Sequence, residues 1–345
     1  MNNKEKRKYI TDLLVFNSMP YVCEFETRRD FLKYTPTALF KYRPFDKYSF
    51  NMISEEYAFL SPVQGLDDPF DCLNSSQIDD FYDSKNGGLT QKGFNYIIEI
   101  ISKNGLPPEL TKAKLKELAK GSMRGDMLDY EHVVANPFVR NSMPEDKIDT
   151  FLGIMRTFNE NLPGILGNKN WEIFAENALT PGQRVGICSL SEVKDNKPMW
   201  SLYGDGYKGY CIEYEIPRTE KLILDLCPVI YTKHANNSLI KKILEYAVWA
   251  MMRAFSGGAI SGNIGAAMEL FCTKDSDWSY QKEWRIIGKA AEHCRLLKTK
   301  AIYVGFNASK RNVSRLKRLA KEKGFSLFLM NPPDGSKRIS YKKIV

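Results

Sequence analysis

The stretch "SDWSYQKEWRII", residues 276–287, combines aromatic, amide and charged side chains and then turns apolar. Side chains alternate between the two faces of a strand, so Gln281, Glu283 and Arg285 are predicted to share one face. The apolar residues that follow predict a central strand with at least one buried face. A buried carboxylate is costly unless it is paired. Glu283 is therefore expected either to pair with a cation, for which Arg285 is close enough, or to open onto a cleft.

Four other segments have strand character and surround this strand in the predicted sheet. They are "ALFKYR" (38–43), "YAFLS" (57–61), "RVGICSLSE" (184–192) and "YKGYCIEYE" (207–215). Near the C-terminus, the segments "AIYVGFNAS" and "FSLFLM" flank a basic helical pattern. This order predicts a C-terminal strand–helix–strand unit.

These elements predict an α+β fold with a mixed, mostly antiparallel central sheet. Residues 1–37 are interpreted as an N-terminal helical lead-in, and residues 38–345 as a single domain. Helical patterns between about 90 and 180 predict an insertion that covers one side of the core. The segment "SLIKKILEYAVWAMMRAF" (238–255) has the apolar stripe of a helix with one buried face, and its charged residues exclude a membrane span.

Composition limits the partners and the compartment. A formal charge of +9 over 345 residues fits an anionic partner, such as a dinucleotide or a nucleic acid. The seven cysteines form no CxxC pair and the three histidines lie far apart, so no structural metal site is predicted. Scattered cysteines in odd number indicate reduced thiols, and the N-terminus lacks the features of a signal peptide. We expect a cytoplasmic protein that does not enter a membrane.

Polar residues beside aromatic ones form the candidate site, because common catalytic motifs are absent from the sequence. They occur on several predicted strands and on the short helix "NKPMWSLYG". Each has a structural alternative: a core aromatic, a serine that bonds the backbone, or an ion pair between strands. The candidates are Lys41, Tyr42, Arg43, Ser189, Ser191, Trp200, Tyr203, Gln281, Glu283 and Arg285.

The order of the short motifs KYR, DDPFD, CSLSE, MWSLYG, KGYCIEY and EWR resembles a bacterial family known as domain of unknown function 2971. The resemblance runs from about Leu39 to the C-terminus. Two positions depart from the family pattern, which usually has Asn-Asp-Pro at residues 67–69 and often a glutamate at Gln281. The resemblance implies an accessory protein of a mobile element or a phage-defence locus, with a protein partner encoded nearby, and it implies no particular activity.

A second resemblance is to ADP-ribosyltransferases of the Arg–Ser–Glu type. These enzymes carry an arginine on the first strand, a Ser-x-Ser on a later strand and a [Gln/Glu]-x-Glu near the end. Arg43, Ser189-Leu190-Ser191 and Gln281-Lys282-Glu283 occur here in that order. The resemblance implies NAD as a substrate, with a carboxylate that stabilises an oxocarbenium-like transition state.

That resemblance assigns roles to the candidates. Glu283, Gln281 and Arg43 would be catalytic, with Glu283 as the carboxylate, Gln281 orienting the attacked group and Arg43 holding the diphosphate. The NAD-binding residues would be the remaining candidates, with Trp200 or Tyr203 stacking on the nicotinamide ring. They are Lys41, Tyr42, Ser189, Ser191, Trp200, Tyr203 and Arg285.

Two further hypotheses remain open at this point. A nucleic-acid-binding protein or nuclease would use Asp67, Asp68, Glu283 and Lys282 around Mg²⁺. A non-catalytic interaction module would leave the polar residues scattered. If Arg43, a serine, the aromatic pair and Glu283 line one cleft, the transferase hypothesis gains. If the aspartates approach Glu283, the nuclease hypothesis gains.

Overall fold

The computed structural model describes residues 1–18, 34–66, 82–83, 88–103, 123–124, 127–128, 137, 184–216, 225–233, 268–269, 271–295, 297–333 and 338–345. The helices are α1 (Asn3–Ser18), α2 (Ser49–Glu55), α3 (Gln91–Lys103), α4 (Lys197–Leu202) and α5 (Lys310–Lys323). The first strands are β1 (Ala38–Arg43), β2 (Ala58–Phe59), β3 (Ser61–Pro62), β4 (Tyr82–Asp83), β5 (Gly88–Leu89), β6 (Met123–Arg124), β7 (Met127–Leu128), β8 (Val185–Ser191) and β9 (Tyr210–Glu215). The later strands are β10 (Leu226–Pro228), β11 (Ile230–Thr232), β12 (Thr273–Asp275), β13 (Glu283–Lys289), β14 (His293–Cys294), β15 (Lys298–Val304), β16 (Ser326–Met330) and β17 (Tyr341–Lys343).

The chain divides into two compact units. The first comprises Met1–Leu66, Val185–Thr232 and Lys274–Val345, and the second comprises Asp67–Arg184 and Lys233–Thr273. The described part of the second unit contains α3 and the antiparallel pairs β4–β5 and β6–β7. Most of the insertion predicted at 90–180, and the helix predicted at 238–255, lie outside the described residues. The boundaries at residues 37 and 38 stay a prediction.

The first unit contains a sheet in the order β10-β13-β8-β1-β9-β15-β16-β17, with β3 paired to β8. Its neighbours are antiparallel except β15 and β16, which are parallel. Helix α5 connects that parallel pair. The predicted α+β class, the mixed and mostly antiparallel sheet and the C-terminal strand–helix–strand unit are therefore confirmed.

The two faces of this sheet are distinguished by its register. Glu283 lies opposite Ser191, and Ser191 lies opposite Phe40, so these three side chains share one face, here called the glutamate face. Arg43 is three residues after Phe40 on β1, and an odd spacing puts it on the opposite face, here called the arginine face. Tyr210, the register partner of Arg43, lies on the arginine face as well.

Both faces are covered, which is why β8 and β13 are buried almost continuously rather than alternately. On the glutamate face, Trp200 of α4 packs edge-on against Tyr42 with ring centroids 5.3 Å apart. On the arginine face, the ring of Phe45 tilts onto Tyr210 at 4.8 Å. The core thus forms two layers, one on each side of the sheet.

Strand β13 begins at Glu283, so the prediction that Gln281 lies on this strand is wrong. Gln281 is the last residue of a 3-10 helix, Ser276–Gln281, and Lys282 then adopts the left-handed conformation with φ of 44°. The helix starts because the Asp275 side chain accepts a hydrogen bond from the Asp277 N–H at 3.0 Å. The strand predicted at 57–61 is also divided, since β2 pairs with β14 and β3 pairs with β8.

The close approach of Gly305 to a neighbouring loop gives the first prediction. A Cβ at Gly305 would lie 2.1 Å from the Tyr207 carbonyl oxygen, whereas a Cβ at Gly65 meets nothing within 4 Å. Gly305→Ala is expected to lower the free energy of unfolding by about 2 kcal/mol or more, because rigid backbone must move. Gly65→Ala is the matched control and should change it by less than about 0.5 kcal/mol. Urea unfolding of both variants makes the comparison, and equal midpoints would contradict it.

The buried hydroxyl of Tyr210 gives the second prediction, which concerns the dependence of stability on pH. Burial raises the pKa of Tyr210 to about 12, against about 10 for an exposed tyrosine. Between these values the unfolded chain has lost the proton and the folded chain has kept it, so stability falls as pH rises from about 10 to about 12. One such group contributes a slope of about 1.4 kcal/mol per pH unit.

Tyr210→Phe should therefore reduce the steepness of alkaline destabilisation by that amount. Tyr48→Phe, at a side chain that is 54% exposed, is the control and should leave the slope unchanged. Urea unfolding at several pH values above 9 measures both. An unaltered slope in Tyr210→Phe would show that its ionisation is not linked to folding.

Candidate active site

Glu283, the first residue of β13, is held by two cations. The Arg285 Nε donates to Glu283 Oε1 at 2.7 Å, and the Lys274 Nζ of β12 lies 3.3 Å from Glu283 Oε2. Arg285 and Glu283 are two residues apart on one strand, so their side chains project from the same face. All three side chains are at most 6% exposed. The three side chains therefore form a buried network of ion pairs and not a row of exposed ion pairs between strands.

Gln281 and Tyr203 extend this network. The Gln281 Oε1 accepts a hydrogen bond from Lys274 at 3.1 Å, and its Nε2 donates to the Tyr203 hydroxyl at 3.0 Å. These opposite partners fix the orientation of the amide. Tyr203 ends α4 and is half-buried. Burial raises its pKa, against the smaller opposing effect of Lys274.

We call this set the Glu283 cluster. Its members are Tyr203, Lys274, Gln281, Glu283 and Arg285.

Hydrogen bonds between side-chain hydroxyls and the backbone fix the turn that leads into the cluster. The Ser191 hydroxyl donates to the Gln281 carbonyl at 2.6 Å, and the Glu283 N–H donates to the Tyr231 hydroxyl at 2.8 Å. Ser191 also accepts the Val193 N–H at 3.1 Å. Ser189 faces Arg285 across the β8–β13 pair. Ser191 therefore lies beside the carboxylate and bonds the backbone around it.

The predicted aromatic residues divide between the cluster and the core. Trp200 is fully buried, and its indole Nε1 donates to the Lys194 carbonyl at 2.8 Å. Its ring also lies parallel to that of Tyr207, with centroids 6.3 Å apart. Tyr42 is buried too, and its hydroxyl donates to the Val193 carbonyl at 2.8 Å. Of the aromatic candidates, only Tyr203 joins the Glu283 cluster.

Arg43 and Lys41 lie on the arginine face, away from Glu283. The Arg43 Nη2 pairs with Asp46 Oδ2 at 3.0 Å, at the turn that leads into α2. Burial alone would raise the pKa of Asp46, but hydrogen bonds from Ser49, Arg43 and the Tyr48 N–H outweigh it and hold that pKa below its usual value. The Lys41 Nζ donates to the Ser189 carbonyl at 3.0 Å. The predicted residues therefore do not all converge on one cleft.

Lys274 is the cluster member that sequence reasoning missed. It occurs in "FCTKDSDW", where a single lysine follows a run of buried residues, Phe271 to Thr273. A charged residue next to such a run is a signal of buried pairing, since an unpaired ammonium would be too costly there. Its partners, however, lie seven and nine residues away across a 3-10 helix, so the alternation of a strand does not identify them.

The remaining expectations concern metals and membranes. Among the described residues, no group of three or more His, Cys, Asp and Glu side chains could hold a metal ion. Asp67 and Asp68, which the nuclease hypothesis requires, lie outside those residues. No helix in the described part of the chain is both long enough and apolar enough to cross a bilayer.

Comparison with known proteins identifies one family. The family model described as Protein of unknown function (DUF2971) matches residues 199–286. The match supports the predicted resemblance to this family over residues 199–286, a shorter extent than the predicted one from Leu39 to the C-terminus. Comparisons with curated proteins and with solved structures give no match. The matched segment includes the whole Glu283 cluster and excludes Lys41, Arg43 and both candidate serines.

The buried and exposed cations of β13 allow a paired test of the ion network. Arg285→Met should lower the free energy of unfolding by about 3–5 kcal/mol, because it removes a partner of a buried carboxylate. Lys289→Met is the matched control. It breaks the exposed Lys289–Glu292 pair at the other end of the strand and should cost less than about 1 kcal/mol. Chemical denaturation measures both, and similar small losses would show that Glu283 does not depend on Arg285.

Proposed function

We propose that the protein breaks the nicotinamide–ribose bond of NAD, as an ADP-ribosyltransferase or an NAD glycohydrolase, with Glu283 as the reacting carboxylate. The observation that carries the proposal is the pairing of two motif strands. Strands β8 and β13, which contain Ser189-Leu190-Ser191 and Glu283, are neighbours in the sheet, and Ser191 lies directly opposite Glu283. These segments are far apart in sequence, so their adjacency is not imposed by short connections. An enzyme with the Arg–Ser–Glu pattern requires its motif strands to be close together.

The surroundings of Glu283 suit the chemistry. Loss of nicotinamide develops positive charge on the ribose, and a carboxylate stabilises that charge electrostatically. Arg285 and Lys274 lie within hydrogen-bond distance of Glu283, and nearby opposite charges favour the ionised form of a carboxyl group. Low exposure strengthens an electrostatic interaction relative to water. The cluster thus supplies a carboxylate that is held in a fixed position by two cations.

Gln281 and Tyr203 supply recognition in this proposal. The Gln281 Nε2 donates to the Tyr203 hydroxyl, and a ribose hydroxyl can accept the same hydrogen bond in its place. Tyr203 is half-buried while Gln281 and Glu283 are buried, so substrate would reach the carboxylate past Tyr203. The ring of Tyr203 would then contact the flat nicotinamide.

The proposal changes two of the roles that the Arg–Ser–Glu resemblance assigns, those of Arg43 and Trp200. Arg43 is engaged with Asp46 on the arginine face, and Trp200 is enclosed in the core. We therefore assign neither of them to substrate binding. Arg43 positions the turn before α2, and Trp200 supports α4, whose C-terminus is capped by Tyr203. The cation beside the reacting carboxylate is Arg285 instead.

The nuclease hypothesis has less support. A divalent ion at Glu283 would have to displace Lys274 and Arg285, each of which already occupies a different carboxylate oxygen. An NAD-consuming enzyme would also suit the phage-defence or mobile-element role that the sequence resemblance implies.

Replacing the carboxylate tests the proposal. Purified protein is incubated with NAD, and released nicotinamide is quantified by liquid chromatography. Glu283→Gln keeps the shape and removes the charge, and it should slow release by about 100-fold or more, the usual effect of losing a transition-state contact. Glu215→Gln, at an exposed carboxylate at the end of β9, is the matched control and should keep the wild-type rate.

Two results would contradict the proposed cleavage of NAD. The first is a wild-type protein that releases no nicotinamide, with or without cell extract as a source of acceptor and partner proteins. The second is a folded Glu283→Gln variant that works at the wild-type rate. Should that variant unfold, Tyr203→Phe provides the test, because it removes only the hydroxyl that Gln281 contacts. An unchanged KM for NAD in Tyr203→Phe would then remove Tyr203 and Gln281 from the site.

A further inference from the structure

Helix α5 has a strongly basic face that the proposed NAD chemistry does not use. At 100° per residue, six cationic side chains lie within about 160° of the helix circumference. All six are exposed, and they are Lys310, Arg311, Arg315, Lys317, Arg318 and Lys321. Leu316 and Ala320 lie on the opposite side and are buried against the first unit. We call the six residues the α5 basic face.

Its charge is offset by one carboxylate. Glu322, the single acidic residue of α5, lies within the same arc, so six cations against one anion leave five positive charges. Within the described part of the chain, five of the six cations form no ion pair, hydrogen bond or ring contact; they are Lys310, Arg311, Lys317, Arg318 and Lys321. The sixth, Arg315, lies with its guanidinium 3.9 Å from the centroid of the Phe50 ring.

The helix is rigidly mounted, so the face is preformed. The Ser309 hydroxyl accepts the Asn312 N–H at 3.2 Å and caps the N-terminus, and Gly324 closes the C-terminus with a φ of 78°. Short connections join both ends to strands of the sheet, with residues 305–309 after β15 and residues 324–325 before β16. The helix therefore holds the Cα atoms of the six cations at fixed spacings.

We infer that the α5 basic face binds the phosphate backbone of nucleic acid, without reading its sequence. The cations form two rows. Lys310, Lys317 and Lys321 lie along one, and Arg311, Arg315 and Arg318 lie along the other. Lys310 and Lys317 are about 10 Å apart along the axis, as are Arg311 and Arg318. Two parallel rows of cations match a polymer with a regular line of phosphates, whose binding is driven by counterion release.

A lipid surface fits this face less well. Helices that bind the membrane interface insert an apolar side between the headgroups. The apolar side of α5 is already buried, so only charge is available to a partner. A base-specific reader is also not indicated, because the face consists of long cations rather than the amides that pair with base edges.

The test is a salt titration with a charge-matched control. Fluorescence anisotropy follows binding to a labelled 20-base-pair DNA duplex and to a labelled 20-nucleotide single-stranded RNA, between about 50 and 300 mM salt. The variant Lys317→Gln/Arg318→Gln/Lys321→Gln removes three exposed cations from α5. The control Lys47→Gln/Lys208→Gln/Lys289→Gln removes three exposed cations elsewhere in the first unit.

We expect the α5 variant to bind at least about tenfold more weakly at 0.1 M salt. Its log–log salt slope should be shallower by about 2.7 on the duplex and about 2.1 on the single strand, at 0.9 and 0.7 per lost phosphate contact. The control should keep the wild-type slope. Binding to one of the two probes alone supports the inference and identifies the source of the phosphates.

Three outcomes would overturn it. One is a wild-type protein that binds neither probe at 50 mM salt. Another is an equal loss in both triple variants, which would indicate net charge and not this face. The third is an α5-dependent binding to vesicles containing phosphatidylserine with no such effect on nucleic acid. Nicotinamide release serves as the separate readout, and the α5 variant should leave it unchanged.

Discussion

The structure of the first unit depends on the pairing of Glu283 with Arg285 and Lys274. A carboxylate at the start of a strand flanked on both sides cannot remain there alone, because desolvating an unpaired charge costs several kcal/mol. Arg285 satisfies one oxygen from the same strand, and Lys274 satisfies the other from a different strand. The pairing therefore ties the first residue of β13 to the strand before the 3-10 helix. The turn between them is held by Ser191, which bonds the Gln281 carbonyl. The buried Glu283 carboxylate thus fixes the relative positions of β12, the 3-10 helix and β13.

The alternation of side chains between the two faces of a strand is the part of this arrangement that can be predicted from the sequence. The pairing of Glu283 with Arg285 follows from their spacing of two and from the apolar residues after them. The class of sheet follows from the separate strand-like segments and from the strand–helix–strand order at the C-terminus. Such inferences succeed because periodicity is a local property of the backbone.

Contacts that cross between segments could not be predicted in this way. Gln281 has the spacing of a strand residue, yet the aspartate cap at Asp275 begins a 3-10 helix that ends at Gln281. Its side chain still reaches the cluster, and the left-handed Lys282 joins the 3-10 helix to β13. Lys274 could not be predicted for the same reason, since a helix of six residues separates it from its partners.

Arg43 illustrates a different error, because its strand was predicted correctly but the face of the sheet on which its side chain lies was not. The order of motifs suggested one cleft, while a shift of a single residue along β1 determines which face of the sheet a side chain occupies.

The two faces of the sheet carry different charged groups. The Arg315 guanidinium packs on Phe50, Phe50 stacks on Phe45, and Phe45 tilts onto Tyr210, which lies on the arginine face. Helix α5 therefore covers the same side of the sheet as Arg43 and Lys41, whereas the Glu283 cluster and α4 lie on the other side. A polyanion on the α5 basic face would be separated from the carboxylate by the full thickness of the sheet. The exposed cations of α5 are thus available to an anionic partner on the side of the sheet away from Glu283. The sheet thus separates the α5 basic face from the Glu283 cluster, so a substitution in one of them makes no direct contact with the other.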